Sequence, residues 1–217
     1  MKKRAVLISI AVVLVLAAAI GGTLASFNTE SQVGTTNIDL DDLKVALAAK
    51  VGDEVDVNYM IKDGVPGQEE ELSGYAVTNQ LKEEGYSIYT KVVIDKQWSG
   101  ADKDELDASM IGLFMNDNIL NSSSVGKALN DWIVFSADDE QVVMYYTKPL
   151  ALTEKTTEFL TKIVLDSTMN NAYANKEADV TVTVYAVQEI AADKSIPAEW
   201  GVYPTIDENG VITAIEE

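Results

Sequence analysis

Four acidic clusters are the densest groups of reactive side chains in this sequence: Asp39/Asp41/Asp42, Glu69/Glu70/Glu71, Asp102/Asp104/Glu105/Asp107 and Asp138/Asp139/Glu140. Paired carboxylates bind Ca²⁺ or act as general acid and base. None of the clusters follows the EF-hand pattern D-x-[DN]-x-[DN]-G. With 35 acidic residues in 217, such pairs arise by chance. They read as solvated loops and faces, with weak surface binding of Ca²⁺ as the one cation chemistry they allow. The chain has no Cys and no His, which excludes disulfides, Cys/His zinc sites and Ser-His or Cys-His catalysis. A metallopeptidase of the His-Glu-x-x-His kind is excluded on the same ground. We therefore assign no catalytic residue, no metal ligand and no cofactor.

The net charge is −19, and Arg4 is the only arginine. Nucleic acid is excluded as a partner, because phosphate contacts need clustered Lys and Arg. An anionic membrane surface would repel the protein. Lacking disulfides, the chain must hold together by its core, and its length is sufficient for that.

Lys2, Lys3 and Arg4 precede an apolar run from Ala5 to Ile20, interrupted only by Ser9. Gly21-Gly22 then breaks the helix, and Thr23 and Ala25 place small residues three before and one before a cut. This is the layout of a secretory signal peptide, with cleavage expected between Ala25 and Ser26. The apolar run is shorter than the roughly 20 residues of a bilayer-spanning helix. A type IV pilin leader would need a Gly before the apolar segment and a Glu about five residues into it, and has neither here. Loss of Lys2, Lys3 and Arg4 makes the remainder three charges more negative than −19. No later apolar run or LPxTG-like signal follows, so no membrane contact is expected after cleavage.

The dominant period beyond the leader is two. Val55, Val57, Tyr59 and Ile61 share one face, with Asp56 and Asn58 on the other. Ile88, Thr90, Val92 and Ile94 alternate in the same way, as do Ile163 with Leu165, and Val180, Val182, Val184 with Ala186. Such alternation marks half-buried strands. Further strands are expected at 38–47, 72–79, 110–115, 131–136, 142–148 and 211–215. Val65-Pro66-Gly67 and Glu208-Asn209-Gly210 are turns, and Pro149 closes a strand. Short helices are expected around 102–108, 124–129 and 190–200. The count and spacing of strands predict an all-β fold, an antiparallel β-sandwich of jelly-roll type with a few short helices.

Other constellations have plain readings. Asn121-Ser122-Ser123 is formally a glycosylation sequon, read here as a polar loop. Trp98, Trp132 and Trp200, with Tyr145 and Tyr146, would form a sugar-stacking platform if brought together; strand-rich context reads them as core or sheet-face residues. The stretch after the cut is Ser26-Phe27-Asn28-Thr29-Glu30-Ser31-Gln32-Val33-Gly34-Thr35-Thr36. By pattern alone it is a frayed terminus. The alternative is a strand that pairs with another subunit's sheet edge.

Together these residues resemble a family. Gly21-Gly22-Thr23-Leu24-Ala25-Ser26-Phe27 resembles the G-G-T-x-A-x-F signature of leaders cut by the SipW-type signal peptidase. That signature opens the TasA/camelysin family of secreted biofilm-matrix proteins. Pro66-Gly67 followed by Tyr75-Ala76-Val77-Thr78-Asn79 is similar to the family's P-G…V-x-N step. Tyr89 to Trp98 is similar to its Y-x-[KR]-V-x-[IV]…W strand. Trp132 through Tyr145-Tyr146-Thr147-Lys148-Pro149-Leu150 is similar to its W…Y-Y-x-K-P-L block. Thr156-Thr157, Ala186-Val187-Gln188 and Ala198-Glu199-Trp200-Gly201 continue in family order. The resemblance stops near Gly201, and residues 202–217 lie beyond it.

The resemblance implies a secreted jelly-roll subunit that polymerises into extracellular fibres of a biofilm matrix or cell surface. It implies other copies of the chain as partners, head to tail, and a SipW-type peptidase during export. It divides the chain into a signal peptide (1–25), a donor strand (26–36) that inserts into the next subunit, and a sandwich domain (37–217). Phe27 becomes the donor's apolar anchor. The alternatives are a monomeric surface adhesin or binding module of similar fold, and a camelysin-like metallopeptidase, whose chemistry the missing histidines disfavour.

Overall fold

The structure, a computed structural model, describes residues 46–49, 55–79, 86–100 and 105–217. Thirteen strands among them make two large sheets and a hairpin. The six-stranded sheet has the order β2-β11-β4-β9-β8-β7. Its strands are β2 (Val55–Ile61), β4 (Ile88–Trp98), β7 (Ala128–Leu129), β8 (Trp132–Ala137), β9 (Gln141–Tyr146) and β11 (Ala178–Gln188). The five-stranded sheet has the order β1-β3-β10-β5-β6. It contains β1 (Ala46–Ala49), β3 (Glu69–Asn79), β5 (Ile111–Met115), β6 (Asn118–Ile119) and β10 (Leu160–Leu165). From β2 to β5 the chain changes sheet at every step. All pairings are antiparallel except β1 with β3.

One apolar cluster joins the inner faces of both sheets. Val57, Tyr59 and Ile61 face inward from β2, Ile88, Val92 and Ile94 from β4, and Val180, Val182 and Val184 from β11. Tyr75 and Val77 of β3, Leu113 of β5 and Ile163 of β10 meet them from the other sheet. The inward residues are those that the period of two selects, so an all-β sandwich is what this pattern builds.

The turns follow their residues. Pro66 and Gly67 form the centre of a turn closed by Gln68 N–H donating to Val65 C=O at 3.0 Å. Gly67 has φ +77°, which a side chain would resist. Gly210, φ +78°, closes the hairpin between β12 (Tyr203–Ile206) and β13 (Ile212–Glu216).

This hairpin and α1 (Ala192–Trp200) form a second cluster on the outer face of the six-stranded sheet. Ile196, Val202 and Ile212 cover Tyr89, Tyr145 and Val187 there. Tyr89 O–H donates to Gly210 C=O, and Ile212 N–H to Thr147 C=O. The segment beyond Gly201 is therefore an integral cover of this sheet.

Two expectations are corrected. Residues 124–129 are not a helix: a 3-10 turn at Ser122–Ser124, capped by Asn121, leads into β7. The Asn121 side chain accepts from Ser123 N–H, which fixes a turn where a longer helix was expected. Around 102–108 the described part carries a 3-10 turn at Ala108–Met110. The leader (1–25), the cut at Ala25/Ser26, the donor segment 26–36, the cluster Asp39/Asp41/Asp42, most of the strand expected at 38–47, and Asp102/Asp104 lie outside the described residues.

Because the cover and the sandwich bury separate clusters, Ile196→Asp should undock the cover alone. The charge would sit in an apolar site, which is costly. The expected result is a red-shifted Trp200 emission and faster amide exchange over 192–216, with β4 and β11 amides still protected.

Candidate assembly edge

Sheet edges offer unpaired backbone groups, and folded proteins usually blunt them. Here β6 and β7 are two residues each. The outer side of β3 is taken by β1 from Ala76 to Asn79. Its other half carries Glu69, Glu70 and Glu71, whose charges discourage pairing. The edge strand β2 differs from these. Its seven residues, Val-Asp-Val-Asn-Tyr-Met-Ile, pair with β11 from Val55↔Val184 to Ile61↔Ala178. Among the described residues nothing pairs with its other side. It contains no Lys, Arg or Pro.

β2 and β3 face each other across the core at the open side of the sandwich. Tyr59 O–H donates to Glu70 Oε2 at 3.4 Å, and Gln68 Nε2 donates to Glu70 Oε1 at 2.6 Å. Burial, then the Glu70 charge, pushes the Tyr59 phenol up to about 12. Burial pushes Tyr75 on β3 to about 12 as well. Both phenols therefore stay neutral donors. Lys162 of β10 pairs with Glu69 at 3.4 Å on the exposed face of β3.

The other acidic clusters serve local structure. Asp138 Oδ1 accepts from Glu140 N–H and Gln141 N–H, closing the turn before β9. Asp107 Oδ1 accepts from Ser109 N–H, and the Ser109 bonds hold this carboxyl below its ordinary range. Among the described residues no three acidic side chains converge to hold a metal ion.

The aromatic residues do not assemble a shared platform. Trp98 and Trp132 are fully buried between the sheets. Trp98 packs on Tyr173 at 5.0 Å, and Trp132 on Tyr146 at 5.1 Å and Phe159 at 5.3 Å. Trp200 lies on the opposite side of the six-stranded sheet, against Tyr145 at 5.4 Å. Alternation along the strands sends Tyr145 and Tyr146 to opposite faces.

The motif residues have structural tasks. Buried Asn79 donates through Nδ2 to Tyr86 C=O and Leu150 C=O, clamping three segments at one end of the sandwich. Thr156 Oγ1 accepts from Val77 N–H at 2.9 Å. Lys148 pairs with Asp131 at 2.8 Å on the surface, a contact of small energetic worth.

One residue escaped the sequence reading. Lys96 occupies an inward position of β4, only 6% exposed, and Nζ donates to Ile111 C=O at 2.7 Å. It forms the shared wall of two clefts of about 170 and 360 Å³. Desolvation lowers its pKa, opposed by the charges of Asp139, Asp107 and Asp138. Its place in the alternation after Val92 and Ile94 was the available signal.

No protein-family model, curated protein or solved structure matches this chain.

Lys96 makes stability depend on alkaline pH. Its folded pKa lies below the unfolded value of 10.5, so between the two the unfolded chain binds more protons. The penalty is full below the folded pKa and is relieved as pH rises toward 10.5. The stability of Lys96→Met relative to wild type should therefore decline as pH rises through that window, read by urea unfolding at fixed ionic strength.

Proposed function

We propose that this chain is a secreted structural subunit of TasA/camelysin type that polymerises into extracellular fibres. The N-terminal strand of one copy, residues 26–36, pairs along the open edge of β2 in the next. The observation that carries this reading is the β2 edge itself: among the described residues its seven-residue outer side is unpaired, while the other sheet edges are shorter or, along β3, charged or covered. The sandwich is read as a jelly roll because β2-β11-β4-β9 faces β3-β10-β5-β6, with the chain alternating between sheets from β2 to β5 and from β9 to β11.

The donor segment suits such an edge. As an extended strand this segment would place Phe27, Thr29, Ser31, Val33 and Thr35 on one face, and Glu30 is its single charge. Backbone pairing supplies affinity that does not depend on charge. Repulsion between strongly acidic subunits remains, so salt or Ca²⁺ favours assembly by screening. A donor on one copy and an acceptor on the next make a head-to-tail contact that need not close, which yields a filament. Neither catalysis nor a cofactor is part of this reading. A glycan-binding module of the same fold would need an aromatic platform, and Trp98, Trp132, Tyr145 and Tyr146 are spent in the two cores, with Trp200 packed against the second.

The test is negative-stain electron microscopy of residues 26–217, concentrated with and without Ca²⁺. Filaments of uniform width are expected. Deleting 26–36 should abolish them and leave the circular dichroism of the sandwich unchanged. A monomer under all conditions would contradict the reading. Phe27→Asp and Met60→Lys should each lower the mass of fibre that sediments, the first by charging the anchor and the second by placing a lysine on the acceptor edge.

A further inference from the structure

Asn209-Gly210 is the one Asn-Gly step in the sequence; every other asparagine is followed by a residue with a side chain. Such a step is labile in water. A glycine nitrogen has no Cβ beside it to hinder its approach to the preceding side-chain amide, and glycine lets the backbone adopt the geometry of attack. Asn209 is exposed at the tip of the β12–β13 hairpin, where water enters and ammonia leaves freely.

The same tip fastens the cover to the sandwich. Asp207 organises it: Oδ1 accepts from Asn209 N–H and Val211 N–H, both at 2.8 Å, and its C=O accepts from Gly210 N–H at 3.1 Å. Gly210 C=O accepts from Tyr89 O–H on the six-stranded sheet. A Cβ on Gly210 would lie 3.4 Å from that phenol oxygen and from Glu189 Oε1, and 3.5 Å from Pro149 Cγ. The turn is thus seated against three side chains. Two residues on, Ile212 N–H donates to Thr147 C=O at 2.8 Å.

We propose that Asn209 is a self-modification site whose deamidation to isoaspartate releases the C-terminal cover from the six-stranded sheet. The Gly210 nitrogen attacks Asn209 Cγ, the bond from Cγ to Nδ2 breaks, and ammonia departs with the proton that Gly210 gave up. Water then opens the cyclic imide. Opening at Cγ leaves ordinary aspartate. Opening at the former backbone carbonyl leaves the chain running through Cβ and Cγ of residue 209, one carbon longer. The extra carbon moves Gly210 C=O off the Tyr89 hydroxyl, and the freed carboxylate adds a charge beside Asp207, Glu208 and Glu189.

The closed turn protects itself. While Gly210 N–H is donated to Asp207 C=O its nitrogen is held away from attack, so the reaction draws on local opening of the hairpin. Opening admits the chemistry, and the chemistry prevents reclosing. The cover is therefore a one-way latch over the apolar face of Tyr89, Tyr145 and Val187.

The test needs no fibres. Purified protein is aged in mildly alkaline buffer and mapped by mass spectrometry, with isoaspartate and aspartate peptides separated by elution. Asn209 should convert before any other asparagine. Ile196→Asp, which undocks the cover, should speed that conversion about tenfold or more. In the isoaspartate form the amides of 203–216 should exchange about tenfold faster than in fresh protein, with β4 and β11 still protected. Asn209→Asp supplies the charge without the extra carbon and should stay within about twofold of fresh wild type, as a single exposed charge does little. Asn209→Gln, aged alongside, should keep its cover docked. Equal conversion rates in wild type and Ile196→Asp would overturn the proposal. So would isoaspartate protein whose 203–216 amides exchange as in fresh protein, or an Asn209 that outlasts the other asparagines.

Discussion

Without a cysteine, the two sheets are held together by the apolar side chains they bury between them. That constraint sets the rest. Each strand must present apolar residues at alternate positions, and each turn must return the chain in register. Valine, isoleucine and tyrosine fill most inward positions of β2, β4 and β11, while Asn58 and Asp95 fall on the other side. Among the described residues the buried cation Lys96 is accommodated by a backbone carbonyl and by the charges of Asp139, Asp107 and Asp138. Because burial rather than covalent linkage holds the sandwich, an incompletely paired edge is a consequence for assembly as much as for stability.

Period two made most of the sandwich legible. β2 has the bounds its alternation marks, β4 and β11 extend theirs by a few residues because pairing continues past the apolar run, and β9 starts one residue earlier and ends two earlier than expected. The helix near 190–200 was also readable. The cover it begins was not, although a signal existed. Tyr89, Tyr145 and Val187 are apolar where alternation calls for polar residues, and all three lie beneath α1 and the final hairpin. The two-residue strands β6 and β7 carry too little pattern to be read. The 3-10 turn at Ser122–Ser124 depends on a cap by Asn121 that the eye assigns to a glycosylation sequon.

The edge itself is a property of topology, invisible until strand order is known. Sequence could show that β2 alternates, but not that, among the described residues, only its β11 side is paired. Nor could it show that the motif residues act as fasteners. Asn79, Thr156 and the Trp132–Tyr146 pair tie loops and sheets together, so their order along the chain reflects the demands of one fold. The acidic clusters follow the same logic. Asp107 and Asp138 close turns, and Glu70 bridges the sheets beside the open side. Among the described residues, the longest unpaired sheet edge of this strongly acidic sandwich is β2.

Amide hydrogen exchange, compared between monomer and assembled fibre, tests that claim most directly. If an incoming strand pairs with β2, the amides of 55–61 on its free side exchange quickly in the monomer and become protected in the fibre, while those of β4 and β11 are slow in both. Fibres in which 55–61 exchanges as it does in the monomer, with new protection appearing on β6, β7 or the exposed face of β3, would contradict the account.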